Sequence, residues 1–175
     1  MDDADLGTLE QDGERWKLTF TRRLSHPPEK VWRAVTEPEH MKAWFPDEMV
    51  GERRAGAPLR FVQQSGDGFE GEMVVFEPPS VIELLWGVDR LRIEVRPDGD
   101  GTVLTLTDSF EELGKAARDA AGWHECLDRL VCHMAGEEPA KWGEPWRDLN
   151  AIYTERLGPE ASTIGPPPGW EPKPN

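Results

Sequence analysis

The chain has 175 residues, with 20 Lys and Arg against 34 Asp and Glu and a net charge of −14. That length suits one domain of about 100–200 residues. It contains no run of about 18 apolar residues to span a membrane, and its negative charge opposes a nucleic-acid backbone. Two cysteines are too few for a disulfide scaffold. The start, Met1-Asp2-Asp3-Ala4-Asp5, lacks the basic flank and apolar stretch of a secretory leader, so the expected location is cytoplasmic.

Residues 1–13 carry Asp2, Asp3, Asp5, Glu10 and Asp12 with few apolar neighbours and read as an acidic flexible arm. A single domain is expected over 14–157. It opens with Trp16, Leu18, Phe20, Arg22 and Leu24 alternating with polar residues, the period of a strand with one buried face. Pro27-Pro28 suits a first helical turn, with Ser25 or His26 as the cap, and a short helix runs through Val31, Trp32 and Val35. Thr36-Glu37-Pro38-Glu39 reads as a capping box opening a second short helix that ends near Trp44.

From Met49 to Phe110 the pattern is strand after strand. Leu59–Gln63, Phe69–Phe76, Val81–Trp86, Leu91–Arg96 and Thr102–Phe110 are divided by Gly-, Pro- and Asp-rich turns, which predicts an antiparallel meander. The period then changes. Ala116, Ala120, Trp123, Leu127, Leu130 and Met134 share one stripe of a long amphipathic helix. A shorter helix is expected over 145–157. The Pro-rich tail, 158–175, cannot sustain regular hydrogen bonding, and its Trp170 would either dock on the body or anchor a partner. This α+β order requires the sheet to curl around the long helix.

The order, with the stretch Pro28-Glu29-Lys30-Val31-Trp32-Arg33-Ala34-Val35-Thr36-Glu37-Pro38, then Met41, Trp44-Phe45, Gly101 to Thr107 and Gly122 to Leu130, resembles the START-like (SRPBCC, Bet v 1-like) superfamily. Within it the chain is similar to the branch named after the activator of the heat-shock chaperone ATPase. The resemblance implies a helix-grip fold, a seven-stranded antiparallel sheet around the long helix, with a cavity between them for a hydrophobic or amphipathic small molecule. It also implies two alternatives, a polyketide cyclase/dehydratase-like enzyme with one pocket acid/base and a chaperone-associated or other protein-interaction module. The stretch with Trp142, Trp146 and Tyr153 extends past the usual family end and is the surface expected for a protein partner, in a monomer or homodimer.

Three polar residues break apolar faces. Arg22 is in phase with Phe20 and Leu24, Gln63 with Leu59 and Phe61, and Asp108 with Leu104, Leu106 and Phe110. They are either polar handles of an apolar cavity or groups near strand ends that reach solvent. Trp86, Phe110, Trp123, Leu127, Leu130 and Met134 are expected to line the same cavity, and core and cavity wall coincide in such a fold. Of the groups available for acid/base work (His26, His40, His124, His133, Glu83, Asp108 and Tyr153), Asp108 is the candidate, in a protein read as a binder rather than an enzyme. His124, Asp128 and Cys132 recur at four-residue steps on one flank. The outer two are about 12 Å apart along a helix, so they are read as a solvated stripe and no metal or other cofactor is expected.

Overall fold

The computed structural model describes residues 1–166. Eight antiparallel strands form one sheet: β1 (Thr8–Asp12), β2 (Arg15–Leu24), β3 (Glu48–Val50), β4 (Pro58–Val62), β5 (Gly68–Glu77), β6 (Val81–Trp86), β7 (Asp89–Asp98) and β8 (Gly101–Phe110). Their order is β1-β2-β8-β7-β6-β5-β4-β3. The long helix α3 (Ala116–Ala135) lies on the inner face, with α1 (Pro28–Thr36) and α2 (Pro38–Met41) between β2 and β3 and α4 (Trp146–Leu157) after it. The helix-grip architecture expected from the sequence is therefore present, with eight strands rather than seven. Among the described residues no helix is long and apolar enough to cross a membrane.

The additional strand lies in the stretch expected to be a flexible arm. Residues 3–5 form a 3-10 turn, and Thr8 to Asp12 pair with Thr19 to Arg15 at the edge of the sheet. The polar sequence that suggested an arm is also what an edge strand carries to discourage pairing with other chains. At the other end, Pro159–Ser162 forms a 3-10 turn, and the Ile164 N–H bonds to the Gly114 carbonyl at 3.0 Å. The start of the Pro-rich tail is thus docked. Trp170 lies outside the described residues.

The helical elbow follows from proline. Pro28 sits at the first position of α1, where its missing N–H costs nothing. Glu37 precedes Pro38, which disfavours helical ψ, and it is extended at φ −81°, ψ 132°, separating α1 from α2. Neither expected side-chain cap forms. Pro27 is the residue before α1, and Thr36 Oγ donates to the Trp32 carbonyl at 2.7 Å instead of capping α2. The Trp44 indole N–H donates to the Ala34 carbonyl at 2.9 Å, which ties the end of this elbow back to α1.

The core follows the two periods. Leu18 and Phe20 of β2, Leu104, Leu106 and Phe110 of β8, and Leu91, Ile93 and Val95 of β7 face Ala120, Trp123, Leu127, Leu130 and Met134 of α3, all buried. The helix ends at Gly136, whose φ of +72° lets its N–H and that of Glu137 satisfy the last carbonyls.

Candidate functional site

The candidate site is the place where this apolar interior is interrupted by charge. Alternation along β8 turns Leu104, Leu106, Asp108 and Phe110 inward, and Asp108 is fully buried. It stands opposite Leu18 of β2 and Leu91 of β7. Its Oδ2 accepts the indole N–H of Trp123 at 3.0 Å, and its Oδ1 has no partner. Loss of water around the carboxyl, together with the charges of Asp89 and Asp119, raises its pKa from 3.8 to about 8, against the smaller opposing effects of Trp123 and Lys115. Asp108 is therefore a neutral carboxylic acid at physiological pH, able to donate a hydrogen bond.

Four other charged groups complete the cluster. Asp89 precedes Leu91, Ile93 and Val95 by two, four and six residues, so the same alternation turns it inward. Lys115, in the 3-10 turn before α3, bonds to Asp89 and lies 3.4 Å from Asp119 one turn into the helix. Arg118 also holds Asp119, at 2.8 Å. Two carboxylates are thus matched by two cations, and Asp108 is left as the uncharged member. Carboxylate oxygens of Asp89, Asp108 and Asp119 lie within 4.8 Å of one another, a spacing open to a hard cation. Lys115 and Arg118, however, already neutralise Asp89 and Asp119 there.

An aromatic chain leads from this cluster to the surface. Trp123 packs on Trp86 with ring centroids 5.3 Å apart and on Phe45 at 5.8 Å. Trp86 meets Phe69 at 5.6 Å, and Phe69 stacks on Phe61 at 5.3 Å. Trp86 and Phe69 are only half-buried. The Trp86 indole N–H donates to Asp47 at 2.9 Å, fastening the α2–β3 loop over β6. Beside this latch lies a shallow cleft lined by Pro38, Met41, Lys42, Asp47, Met49 and Arg53.

The residues singled out in the sequence separate accordingly. Trp86, Leu106, Asp108, Phe110, Trp123, Leu127, Leu130 and Met134 all contribute to the inner face. Gln63 does not. β4 ends at Val62, and Gln63 is exposed in the turn to β5, where its N–H bonds to Asp67, so the alternation stops one residue short of it. Arg22 is buried, but it faces Leu104 rather than Asp108. Its guanidinium donates to the Asp5 carbonyl at 2.8 Å and lies 3.4 Å from Asp128 of α3.

Arg22 belongs to a second polar network, on the far flank of α3. The Gly7 N–H donates to the Tyr153 hydroxyl at 2.8 Å, and that hydroxyl lies 2.8 Å from His124 Nδ1. The Asp128 carboxylate, 3.5 Å from His124 Nε2, favours the tautomer with its proton on Nε2, in which Nδ1 accepts from the Tyr153 hydroxyl. The flank read as a solvated stripe is therefore covered at His124, which is 2% exposed beneath Tyr153. Trp146 is buried too, and Trp142 lies under the Arg129 guanidinium at 4.0 Å. Sequence reasoning missed Asp89, Lys115 and Asp119. For Asp89 the signal was its phase with Leu91, obscured by the Gly87-Val88 turn beside it.

With the helix-grip geometry in place, the comparisons with known proteins identify the family. Residues 25–135 match the family model described as activator of Hsp90 ATPase homolog 1-like protein. The chain belongs to the activator of Hsp90 ATPase homolog 1-like family. Solved structures with the same fold include EF2215 from Enterococcus faecalis, a conserved protein of unknown function, at 20% identity and a TM-score of 0.72 over 86% of this chain and 90% of that one. CalU16 from Micromonospora echinospora is similar at 21% identity and a TM-score of 0.68, over 85% and 94%. BPP1335 from Bordetella parapertussis is similar at 23% and 0.66, over 87% and 91%. No curated protein matches the chain.

The stretch matched to the Hsp90 ATPase homolog 1-like family contains every member of the Asp108 cluster: Asp89, Asp108, Lys115, Arg118, Asp119 and Trp123. The Gly7–Tyr153–His124–Asp128–Arg22 network instead draws three of its five residues from outside that stretch. The acid cluster thus sits in the family domain itself. The second network fastens both chain ends onto it.

Proposed function

We propose that this protein binds a small hydrophobic or amphipathic molecule between the sheet and α3, with the aromatic chain from Trp86 to Trp123 as its apolar wall and Asp108 as its polar handle. The observation that carries this reading is the orphaned Oδ1 of Asp108. A buried polar atom without a partner costs about 1–3 kcal/mol, and a ligand that accepts or donates one hydrogen bond there removes that penalty. Because Asp108 keeps its proton, the fitting ligand offers an acceptor such as a carbonyl or ether oxygen set in an apolar or aromatic frame. Entry is beside Trp86, where release of the Asp47 bond frees the α2–β3 loop.

Titrations of flavone, anthraquinone and medium-chain fatty acids, followed by quenching of tryptophan fluorescence, test this. A carbonyl-bearing aromatic is expected to bind one per chain. Asp108→Leu should weaken it about fivefold, the value of one hydrogen bond near 1 kcal/mol. Failure of the whole panel to bind, or equal binding by Asp108→Leu, contradicts the proposal.

The raised pKa of Asp108 favours a second reading, since a carboxyl protonated at neutral pH is what a general acid requires. Asp108→Asn separates the two. It keeps a hydrogen-bond donor but has no transferable proton, so binding survives and any turnover is lost.

A further inference from the structure

The end of α2 and the last turn of α3 meet through two histidines. His40 Nδ1 and His133 Nε2 are 2.9 Å apart, across 93 positions of sequence, with ring centroids 5.2 Å apart. Both side chains are half-buried, so the pair is reachable from solvent. In the neutral pair one proton lies between two nitrogens, one donating and the other accepting. On the outer side of His40, the Glu37 carboxylate lies 3.8 Å from Nε2. That distance is too long for a hydrogen bond, but it leaves a carboxylate on the side of the far nitrogen, within reach of the support a metal-ligating histidine usually has.

We propose that His40 and His133 form a two-nitrogen site for a divalent transition metal, with Cu(II) the ion that fits best. The metal displaces the shared proton, sits to one side of the line joining the two nitrogens with both rings turned toward it, and leaves its remaining positions to water. The nitrogen separation selects the geometry. With metal–nitrogen bonds of about 2.0–2.1 Å, nitrogens 2.9 Å apart subtend about 90° at the ion. That is the angle of adjacent positions in a tetragonal or octahedral ion such as Cu(II) or Ni(II). Tetrahedral Zn(II) needs the nitrogens about 3.3–3.4 Å apart, so the rings would have to separate. Geometry thus favours Cu(II) and Ni(II) over Zn(II), and the general order of divalent affinities places Cu(II) ahead of Ni(II). His40 lies between Pro38 and Met41, which line the cleft beside the Asp47–Trp86 latch, so an ion here would pin α2 to α3 at the edge of that cleft.

Calorimetric titration of the untagged full-length chain with CuCl₂, NiCl₂ and ZnCl₂ at pH 7.5, with electron paramagnetic resonance of the copper form, tests the site. One Cu(II) per chain is expected, with hyperfine splitting from two imidazole nitrogens and binding in the order Cu(II), Ni(II), Zn(II). Each of His40→Ala and His133→Ala should weaken Cu(II) at least tenfold and leave at most one imidazole nitrogen on the ion, whereas His26→Ala should change nothing. His40→Gln and His133→Gln, checked for folding by circular dichroism, serve where an alanine variant is unstable. Binding weaker than about 100 μM, a spectrum without two imidazoles, or unchanged binding by folded His40 and His133 variants would overturn the proposal.

Discussion

Asp108 holds its proton first because burial strips water from the carboxyl and then because the carboxylates of Asp89 and Asp119 stand nearby, effects that the Trp123 indole N–H and Lys115 only partly offset. The consequence is a defined dependence of stability on pH. In the unfolded chain the group titrates near 3.8 and in the folded protein near 8. Below the lower value both forms are protonated. Between the two, the unfolded chain gives up the proton that the folded one keeps, so stability falls as pH rises and levels off above about 8. The slope approaches about 1.4 kcal/mol per pH unit at most. Asp108→Asn retains the shape of the neutral acid and removes the titration. Its stability relative to the parent should therefore climb from pH 4.5 to pH 7.5 by on the order of a few kcal/mol, measured by urea unfolding at several pH values. A difference that does not change with pH would mean that Asp108 is ionised in the folded protein.

At the scale of elements, α3 carries two glycines whose replacement by alanine should act in opposite directions. Gly122 lies within the helix, and a Cβ there meets nothing within 4 Å beyond the helix's own backbone, so Gly122→Ala should stabilise by about 1 kcal/mol through helix propensity. Gly136 also has room for a Cβ, but its φ of +72° is the left-handed cap, and Gly136→Ala should destabilise by about 1 kcal/mol. Thermal unfolding of both variants reads the two signs, and equal signs would refute the cap assignment. Proline made the α1–α2 elbow legible in the sequence, and the period change at Ala116 made α3 legible. The capping box at Thr36 misled because the same Pro38 that marks the second helix forces Glu37 to be extended, and Thr36 turns back to Trp32. β1 was illegible for a different reason. Thr8 to Asp12 is held by backbone bonds to β2 and buries no side chain beyond part of Leu9, so it carries no alternating apolar signature.

For the molecule as a whole, the strands, turns and long helix were readable because each depends on local periodicity, and the family match over residues 25–135 agrees with that reading. The site was readable only in part. Asp108 showed itself by interrupting an apolar face, but its partners Lys115 and Asp119 lie on the approach to α3, where charged residues are ordinary. Only the closure of the sheet onto that helix brings them together. The same holds for Tyr153 and Gly7, 146 residues apart, whose bond closes the two chain ends over His124. The central claim is that this closed interior admits a small molecule at Asp108. Native mass spectrometry of the protein taken from its source cells tests it most directly. The account predicts a mass increment lost on denaturation, from a compound with an apolar or aromatic frame and an oxygen acceptor. A bare mass, together with no stabilisation by fatty acids or polyketide-like aromatics, would contradict it.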